Sequence, residues 1–461
     1  MEETLIKNAF IATMDGDGTI YREGSILLEA DVITDLGPTV NSPRAPEHII
    51  DARHMVALPG FVNAHSHLQQ YFRGIYELIG NFYEVNLPLE GYRRPEDMEW
   101  LGPSSCAEFI HAGCTTAMVV YTYPNGFAKN VKEAGFRTIL GADIEEVDLV
   151  KLMDGTYQYL PGKGEAAFKR AVDLHRRWEG EARGRITTIV APKAADLALP
   201  ETYLKCKDLA ETHDLMMTTH LNQSWREVTQ VRRLYGKTPI QHLQTLGVLN
   251  DRLTGAHCTY STGNDIKLIT QSGMGILHCR AVTNPLLQWL DLGIPVGLGT
   301  DDYFHDMLQL LRQNLRGQRT RARLAGGSEG MLATNTFTSR PSPHRLLELA
   351  TRGGAETLGI ADKVGSIEPG KKADIILFDM LNPFLTPTMD PLTSVALYAT
   401  SDDISTVIVD GKILKHEKKL TTIDQREALT KAQRRVEKII EQFFTDHPKQ
   451  RKNWEKKTRK N

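Results

Sequence analysis

The chain has 461 residues, of which 41% are hydrophobic and 24% charged, and its formal net charge at pH 7 is −2. Because the positive and negative side chains nearly balance, there is no electrostatic reason to expect nucleic acid or an anionic membrane as a partner. The five cysteines stand singly along the chain, a pattern typical of a reducing cytoplasm rather than a disulfide framework. No run reaches the about 18 apolar residues that cross a bilayer, and the N-terminus lacks a signal-peptide pattern. We therefore expect a cytoplasmic protein.

The predicted elements fall into four segments. Residues 1–56 alternate apolar runs with turn residues and predict strands. From 57 to 360, strand-like runs ("ALPGFVNAHSH", "TTAMVVYTY", "RTILGADI", "RITTIVAPK", "LMMTTHLNQ", "RLTGAHCTY", "MGILHCRA", "IPVGLGTDD") alternate with helical stretches. Eight such units predict an α/β fold, a (β/α)₈ TIM-type barrel. Residues 361–421 return to strands, with an Asp-Gly hairpin signal at 410–411, so 1–56 and 361–421 are expected to form one small β-sandwich.

The last segment, 422–461, is predicted as a C-terminal helix and a basic tail. Residues 431–461 carry eleven Lys and Arg against four Asp and Glu. An anionic partner would suit this charge, but a solvated helix and a frayed terminus explain it as well, and we favour the second interpretation.

Histidines mark the ends of several predicted strands. His65 and His67 lie two residues apart, so on a strand they point to the same side. Neutral imidazole is a good ligand for zinc and related metals. Barrel active sites form at the C-terminal strand ends, and three or four N/O ligands with an open position are typical of a catalytic metal site. The other candidates at strand ends are His220, His257, His278, Asp301 and Asp302.

Together these motifs resemble the metal-dependent amidohydrolase superfamily, in the branch of cytosine deaminases and s-triazine hydrolases. "LPGFVNAHSH", "THLNQ", "GAHC", "HCRAVTN", "VGLGTDD" and "GKKADIILFD" match its motifs in order over about residues 4–421. The resemblance implies one divalent metal per chain, zinc first and iron, cobalt or nickel as alternatives, with His65, His67, His220 and Asp301 as ligands. His257 would be a general base or water-orienting residue, or else an additional ligand.

The implied chemistry is hydrolysis. A metal lowers the pKa of a bound water toward ~7. Asp301 can take the proton from that water and pass it on, and His257 can hydrogen-bond the water or the developing oxyanion. An acid must protonate the leaving nitrogen before the carbon–nitrogen bond breaks.

Gln223 departs from the branch pattern. Ring deaminases of this branch usually have His-x-x-Glu on strand 5, where the Glu carries protons to a ring nitrogen, but this chain has Gln223 after His220. A glutamine can hydrogen-bond a carbonyl or an N–H but cannot carry a proton. We therefore place Gln223 among the catalytic residues and favour an amide, urea or carbamate substrate, with deamination of a heteroaromatic ring as the alternative.

Aromatic residues in 71–92 either line a pocket for an apolar ring or pack the loop. With Gln223 they make the chain similar to phenylurea and thiocarbamate herbicide hydrolases, which implies xenobiotic degradation. The expected substrate contacts are Gln223, His278, Tyr71, Phe82 and Tyr83.

Two further residues have competing interpretations. Lys193 is either a carboxylated lysine that bridges two metals, as in binuclear relatives, or an ordinary loop lysine, and we favour the loop. His305 either touches substrate or lies on a surface loop, and we favour the surface. The expected partners are a small-molecule substrate and further copies of this chain, with no nucleic acid and no membrane. The intact ligand set argues against a non-enzymatic scaffold.

Overall fold

The computed structural model describes residues 3–40, 42, 45–68, 72–75, 85–279, 283–302, 304–325 and 340–458. The strands are β1 Glu3–Ala12, β2 Ile20–Glu29, β3 Val32–Gly37, β4 His48–Asp51, β5 Met55–Pro59, β6 Phe61–Ser66, β7 Cys114–Tyr121, β8 Arg137–Ile144, β9 Ile186–Pro192, β10 Met217–Leu221, β11 Leu253–His257, β12 Gly275–His278, β13 Val296–Leu298, β14 Ile375–Asp379, β15 Ile404–Val409, β16 Lys412–His416 and β17 Lys419–Leu420.

Helices of six or more residues are α1 Met98–His111, α2 Pro124–Ala134, α3 Pro161–Trp178, α4 Pro200–His213, α5 Trp225–Tyr235, α6 Pro239–Thr245, α7 Gly263–Ser272, α8 Leu286–Asp291, α9 Met307–Ala325, α10 Pro343–Glu348, α11 Pro391–Tyr398, α12 Gln425–Asp446 and α13 Pro448–Thr458. Shorter helical turns lie at Leu87–Glu90, Pro95–Asp97, Lys151–Asp154, Glu181–Gly184, Leu349–Gly353, Gly354–Thr357 and Ser401–Asp403.

The predicted barrel is confirmed. Strands β6 to β13 form one eight-stranded sheet in chain order, and every pairing in it is parallel. The first and last strands meet where Ser66 bridges Asp301. Gly299 permits this approach, because a Cβ there would lie 2.6 Å from the Cβ of His65. The closure therefore brings the end of β6 against the chain that follows β13.

A second, mixed sheet contains strands from both chain ends, as predicted. Its order is β17-β16-β15-β14-β5-β1-β2-β3, with β4 paired to β1. The expected Asp-Gly hairpin joins β15 to β16: Val409 pairs with Lys412, and both Asp410 (φ 53°) and Gly411 (φ 76°) have the positive φ of a type I′ turn. The chain passes from this sheet into the barrel through Gly60, where a Cβ would overlap Thr115.

A buried ion network links the two sheets. The guanidinium of Arg137, at the start of β8, donates to Asp374 at 3.0 Å and to Asp410 at 3.0 Å. All three residues are buried. Because an unpaired buried charge is costly, this network ties the terminal sheet to the barrel wall.

The predicted C-terminal helix is α12, which packs against α1. Its buried residues recur every three or four positions, as an amphipathic helix requires: Ala428, Ala432, Val436, Ile439 and Phe443. The following helix, α13, buries none of its residues. Across the described ranges, no helix combines the length and apolar character needed to cross a membrane.

Candidate metal centre and substrate cavity

The histidine cluster lies where four barrel strands end. It consists of His65 and His67 at the end of β6, His220 in β10, His257 at the end of β11 and Asp301 just after β13. All five residues are buried. The sequence separates them by up to 236 positions, and the parallel barrel brings them together because every strand ends at the same face.

The spacing within this cluster suits a divalent metal. The Nε2 atoms of His67 and His220 are 3.1 Å apart, and two imidazoles on a tetrahedral zinc would place their nitrogens about 3.3 Å apart. Asp301 Oδ1 lies 3.6 Å from His67 Nε2 and 3.8 Å from His65 Nε2. The ligand atoms of His65, His67 and His220 all lie within 4.8 Å of one another.

Backbone carbonyls orient two of the imidazoles. His67 Nδ1 donates to the carbonyl of Val120 at 2.9 Å, and His220 Nδ1 donates to that of Lys193 at 2.7 Å. Each Nδ1 therefore carries the proton, and each Nε2 lone pair points into the cluster. Burial, reinforced by the neighbouring His220, lowers the pKa of His67 to about 4, so its imidazole is neutral at pH 7.

His65 supports the same conclusion. Neither of its ring nitrogens has a hydrogen-bond partner among the described residues, although both are buried. Burial and the neighbouring histidines lower the pKa of His65 well below its usual value. A buried polar atom without a partner costs about 1–3 kcal/mol, and a metal ion would supply the missing partner. The donor set thus fits a divalent metal.

Three residues at these strand ends have a strained backbone. His257 (φ 75°), Asp301 (φ 63°) and Asn222 (φ 48°) have left-handed conformations without being glycine. Such conformations cost energy and cluster at functional sites, where the surrounding structure holds them.

A cavity opens beside the cluster. Its polar wall contains His67, His220, Asp301, Asp302 and Gln223. Gln223 is only partly buried, and its backbone N–H donates to Glu227 at 2.7 Å. Gln223 lines the same cavity as three of the predicted ligands, His67, His220 and Asp301.

Apolar residues also line the cavity, namely Leu87, Ala194 and Leu197. These residues belong to a small hydrophobic cluster against which Tyr157 and Tyr159 pack. The lining thus combines predicted metal ligands and other polar residues with apolar ones, a combination typical of small-molecule sites.

Lys193 lies in the loop after β9, the interpretation that we favoured, but it is not an exposed lysine. It directly follows β9 and is buried, and its Nζ contacts Glu90 Oε2 at 2.6 Å, Glu145 Oε2 at 2.9 Å and Asp143 Oδ2 at 3.4 Å. Burial opposes its charge, but these carboxylates raise the pKa of Lys193 well above its usual value. A carboxylated lysine would carry a negative charge among three carboxylates, so this arrangement favours the ammonium form.

His278 is held by amides rather than by the histidine cluster. Its Nδ1 accepts from Asn284 Nδ2 at 3.2 Å, and its Nε2 donates to Asn314 Oδ1. Asn284 also donates to the carbonyl of His257 at 2.9 Å. Asn284 therefore links His278 to the backbone of His257.

We expected His305 on a surface loop, but the structure buries it. It is fully buried, and its ring stacks on Phe109 with centroids 3.8 Å apart. The predicted substrate contacts Tyr71, Phe82 and Tyr83 lie outside the described residues.

Three carboxylates that line the cavity were not predicted from the sequence: Glu90, Asp196 and Glu227. Glu227 accepts the backbone N–H groups of Asn222 and Gln223 at 3.0 and 2.7 Å. The sequence pattern that could have predicted Glu227 is Ser224-x-x-Glu227 at the start of α5, which is typical of a helix N-terminus. Glu90 and Asp196 carried no comparable local signal.

Comparisons with known proteins agree with this geometry. The model of the amidohydrolase family matches residues 56–414. The chain is 31% identical over 454 residues to the 5-methylthioadenosine/S-adenosylhomocysteine deaminase of Pelotomaculum thermopropionicum, an alignment that covers 95% of this chain and 99% of that protein. It is 29% identical over 452 residues to the 5′-deoxyadenosine deaminase of Methanosarcina mazei, covering 95% and 99%.

Solved structures share the fold. An adenosine deaminase from Xanthomonas campestris with bound zinc superposes with a TM-score of 0.82 at 22% identity, covering 95% of this chain and 98% of that one. The atrazine chlorohydrolase of Arthrobacter aurescens complexed with zinc gives 0.81 at 23% identity, covering 94% and 100%. From the family match and the relatives, the chain belongs to the amidohydrolase family, and it is a metal-dependent enzyme that acts on carbon–nitrogen bonds other than peptide bonds.

Proposed function

We propose that this enzyme hydrolyses the carbon–nitrogen bond of a urea, carbamate or amide that carries an apolar group, with a phenylurea as the narrower candidate. The observation that carries the proposal is Gln223, which lines the cavity beside His67 and His220. A glutamine there can hold a carbonyl oxygen or an N–H but cannot carry a proton to a ring nitrogen.

Asp301, Gln223 and His257 have separate roles in the proposed reaction. A divalent metal held by His65, His67, His220 and Asp301 would supply an activated water and would polarise the carbonyl. Asp301 lies near His65 and His67, takes a proton from the water and returns it to the leaving nitrogen. Water adds to the carbonyl carbon, the carbon–nitrogen bond breaks, and an amine leaves. Gln223 orients the substrate, His257 stabilises the developing negative charge, and Leu87 and Leu197 accept the apolar group.

Deamination of an aminated heteroaromatic ring is the second candidate. The full-length relatives are deaminases of adenosine-type compounds, and this similarity favours ring deamination over a phenylurea hydrolase. The cavity side chain favours the first candidate, because the proton carrier of ring deaminases is replaced by Gln223.

Substitution of Gln223 separates the two candidates. We expect Gln223→Ala to lose roughly 1–3 kcal/mol of transition-state stabilisation on an aryl urea, the usual cost of an unpaired polar partner. Gln223→Glu should also lower this activity, because it adds a charge beside the metal. The measurement is kcat/KM on an aryl urea and on an aminated triazine and a purine nucleoside, with release of amine and of ammonia followed separately.

The control for the added charge is Gln271→Glu, on the exposed side of α7, which should leave both activities unchanged. If the wild type releases only ammonia from the ring substrates, and Gln223→Glu improves that reaction, the enzyme is a ring deaminase and the first candidate is wrong.

We also propose one zinc ion per chain, held by His65, His67, His220 and Asp301. Metal analysis of the purified protein should give one tightly bound ion, and His220→Ala should lose it. Two tightly bound ions would contradict this stoichiometry and would implicate Lys193. A cytoplasmic location and a homo-oligomeric state stay predictions.

A further inference from the structure

We propose that Glu227 is a positioning residue that fixes the place of Gln223 in the cavity, an inference that rests on the proposed role of Gln223. Glu227 is the third residue of α5 and is 3% exposed. Its Oε1 accepts the backbone N–H of Asn222 at 3.0 Å, and its Oε2 accepts that of Gln223 at 2.7 Å. One carboxylate thus holds two of the three residues that connect β10 to α5.

These two hydrogen bonds do more than cap α5. The cap residue is Ser224, whose hydroxyl accepts the N–H of Glu227 at 3.2 Å. In a capping box, the side chain of the third helical residue accepts the N–H of the cap residue itself. The carboxylate of Glu227 reaches beyond Ser224 to the two residues before it. Its bonds therefore act on the connecting segment as well as on the helix.

The backbone is what places the Gln223 side chain. Within the described part of the chain, the Gln223 amide group makes no hydrogen bond of its own. Asn222 is held from the other side, because its carbonyl accepts the N–H of Tyr260 at 2.9 Å and its Nδ2 donates to Ser261 Oγ at 3.2 Å. A substrate-contacting group must be held within about 0.5 Å of its productive position. Glu227 supplies that restraint on Gln223.

A double-mutant cycle tests the proposal. An amide offers one acceptor oxygen in place of two, so Glu227→Gln leaves one of the two backbone N–H groups without its acceptor. On whichever of an aryl urea and a purine nucleoside the wild type turns over, we expect kcat/KM to fall about 5- to 100-fold. In the Gln223→Ala background, the same substitution should change kcat/KM by about twofold or less, because residues that act through one contact are not additive. Zinc content should stay at the wild-type value, since the carbonyl of Lys193 orients His220.

Asp265→Asn is the matched control. Asp265 is the third residue of α7, is fully buried, and accepts the backbone N–H of its cap residue Thr262 at 2.8 Å. This substitution also weakens the start of a buried helix, so it should lower the melting temperature while leaving kcat/KM unchanged in both backgrounds. If Glu227→Gln does not fold, Glu227→Asp, which keeps the charge on a shorter side chain, replaces it in the cycle.

The cycle separates failure of this inference from failure of the proposed function. An equal loss of kcat/KM from Glu227→Gln in both backgrounds would overturn the inference and leave Glu227 as a structural cap. Full activity in Gln223→Ala alone would mean that Gln223 has no role in the reaction, and the inference would fall with it.

Discussion

Two buried polar clusters lie side by side at the C-terminal end of the barrel, and they balance their charges differently. The histidine cluster presents imidazole nitrogens to one another. The lysine cluster places Lys193 and Lys163 among the carboxylates Glu90, Asp143 and Glu145. The two clusters touch, because His220 Nδ1 donates to the carbonyl of Lys193 at 2.7 Å.

The difference shows which cluster needs a metal. In the lysine cluster, the buried Lys193 faces three buried carboxylates, and the guanidinium of the buried Arg93 lies 3.9 Å from Glu90 Oε1. Burial opposes ionisation of Glu90, but Lys193 and Arg93 together lower its pKa to about 2, so it is charged at neutral pH. In the histidine cluster, imidazole nitrogens converge with the carboxylates of Asp301 and Asp302. A metal ion would complete the histidine cluster, whereas the lysine cluster is already compensated.

The largest expected effect comes from removing the centre of the lysine cluster. Lys193→Ala should lower the free energy of unfolding by about 3–5 kcal/mol, because breaking a buried ion pair leaves uncompensated charge. Lys163→Ala is the matched control: its side chain is 30% exposed and pairs with Glu145, so its loss should cost about 1 kcal/mol or less. Urea denaturation of both variants gives the comparison. Equal losses of unfolding free energy in the two variants would mean that Lys193 stabilises the fold no more than the partly exposed Lys163 does.

The same two clusters show what the sequence could reveal. The strand pattern predicted the barrel, and its strand ends bring His65, His67, His220, His257 and Asp301 together because parallel strands end at one face. His278, another strand-end candidate, instead bonds Asn284 and Asn314. The contacts of the lysine cluster were not predicted, because Glu90 lies 103 positions from Lys193 and belongs to no recognised motif. His305 was misplaced for a similar reason: its burial depends on the distant Phe109. Whether such a residue is buried depends on side-chain contacts with residues distant in sequence, and local propensity does not reveal these contacts.

The next largest effect concerns the reacting groups of the histidine cluster. Asp301→Asn and His257→Ala should each lower kcat by ~10²-fold or more, equivalent to about 2.7 kcal/mol, as loss of a general acid–base or charge-stabilising group does. Steady-state kinetics of the zinc-loaded variants measures this, with metal content determined in parallel. Full activity in either variant would remove that residue from the mechanism.

The smallest expected effect tests whether the barrel closure positions the histidine cluster. A Cβ at Gly299 would lie 2.6 Å from His65 Cβ and 2.7 Å from the His65 backbone nitrogen and oxygen, distances that require the backbone to move. Gly299→Ala should therefore cost roughly 1–3 kcal/mol of stability, as overpacking of a dense interior does. Because the displaced residue is a predicted ligand, zinc affinity should fall as well.

Gly162→Ala, in α3, provides the control for Gly299→Ala, since a Cβ there meets nothing within 4 Å. Thermal unfolding with and without zinc should show a smaller stabilisation by zinc in Gly299→Ala than in the control. The lysine cluster lies beside β8 and β9, away from this closure, so the effect should be confined to the histidine cluster. A variant that loses stability but keeps its full response to zinc would mean that the closure holds the barrel together without positioning His65.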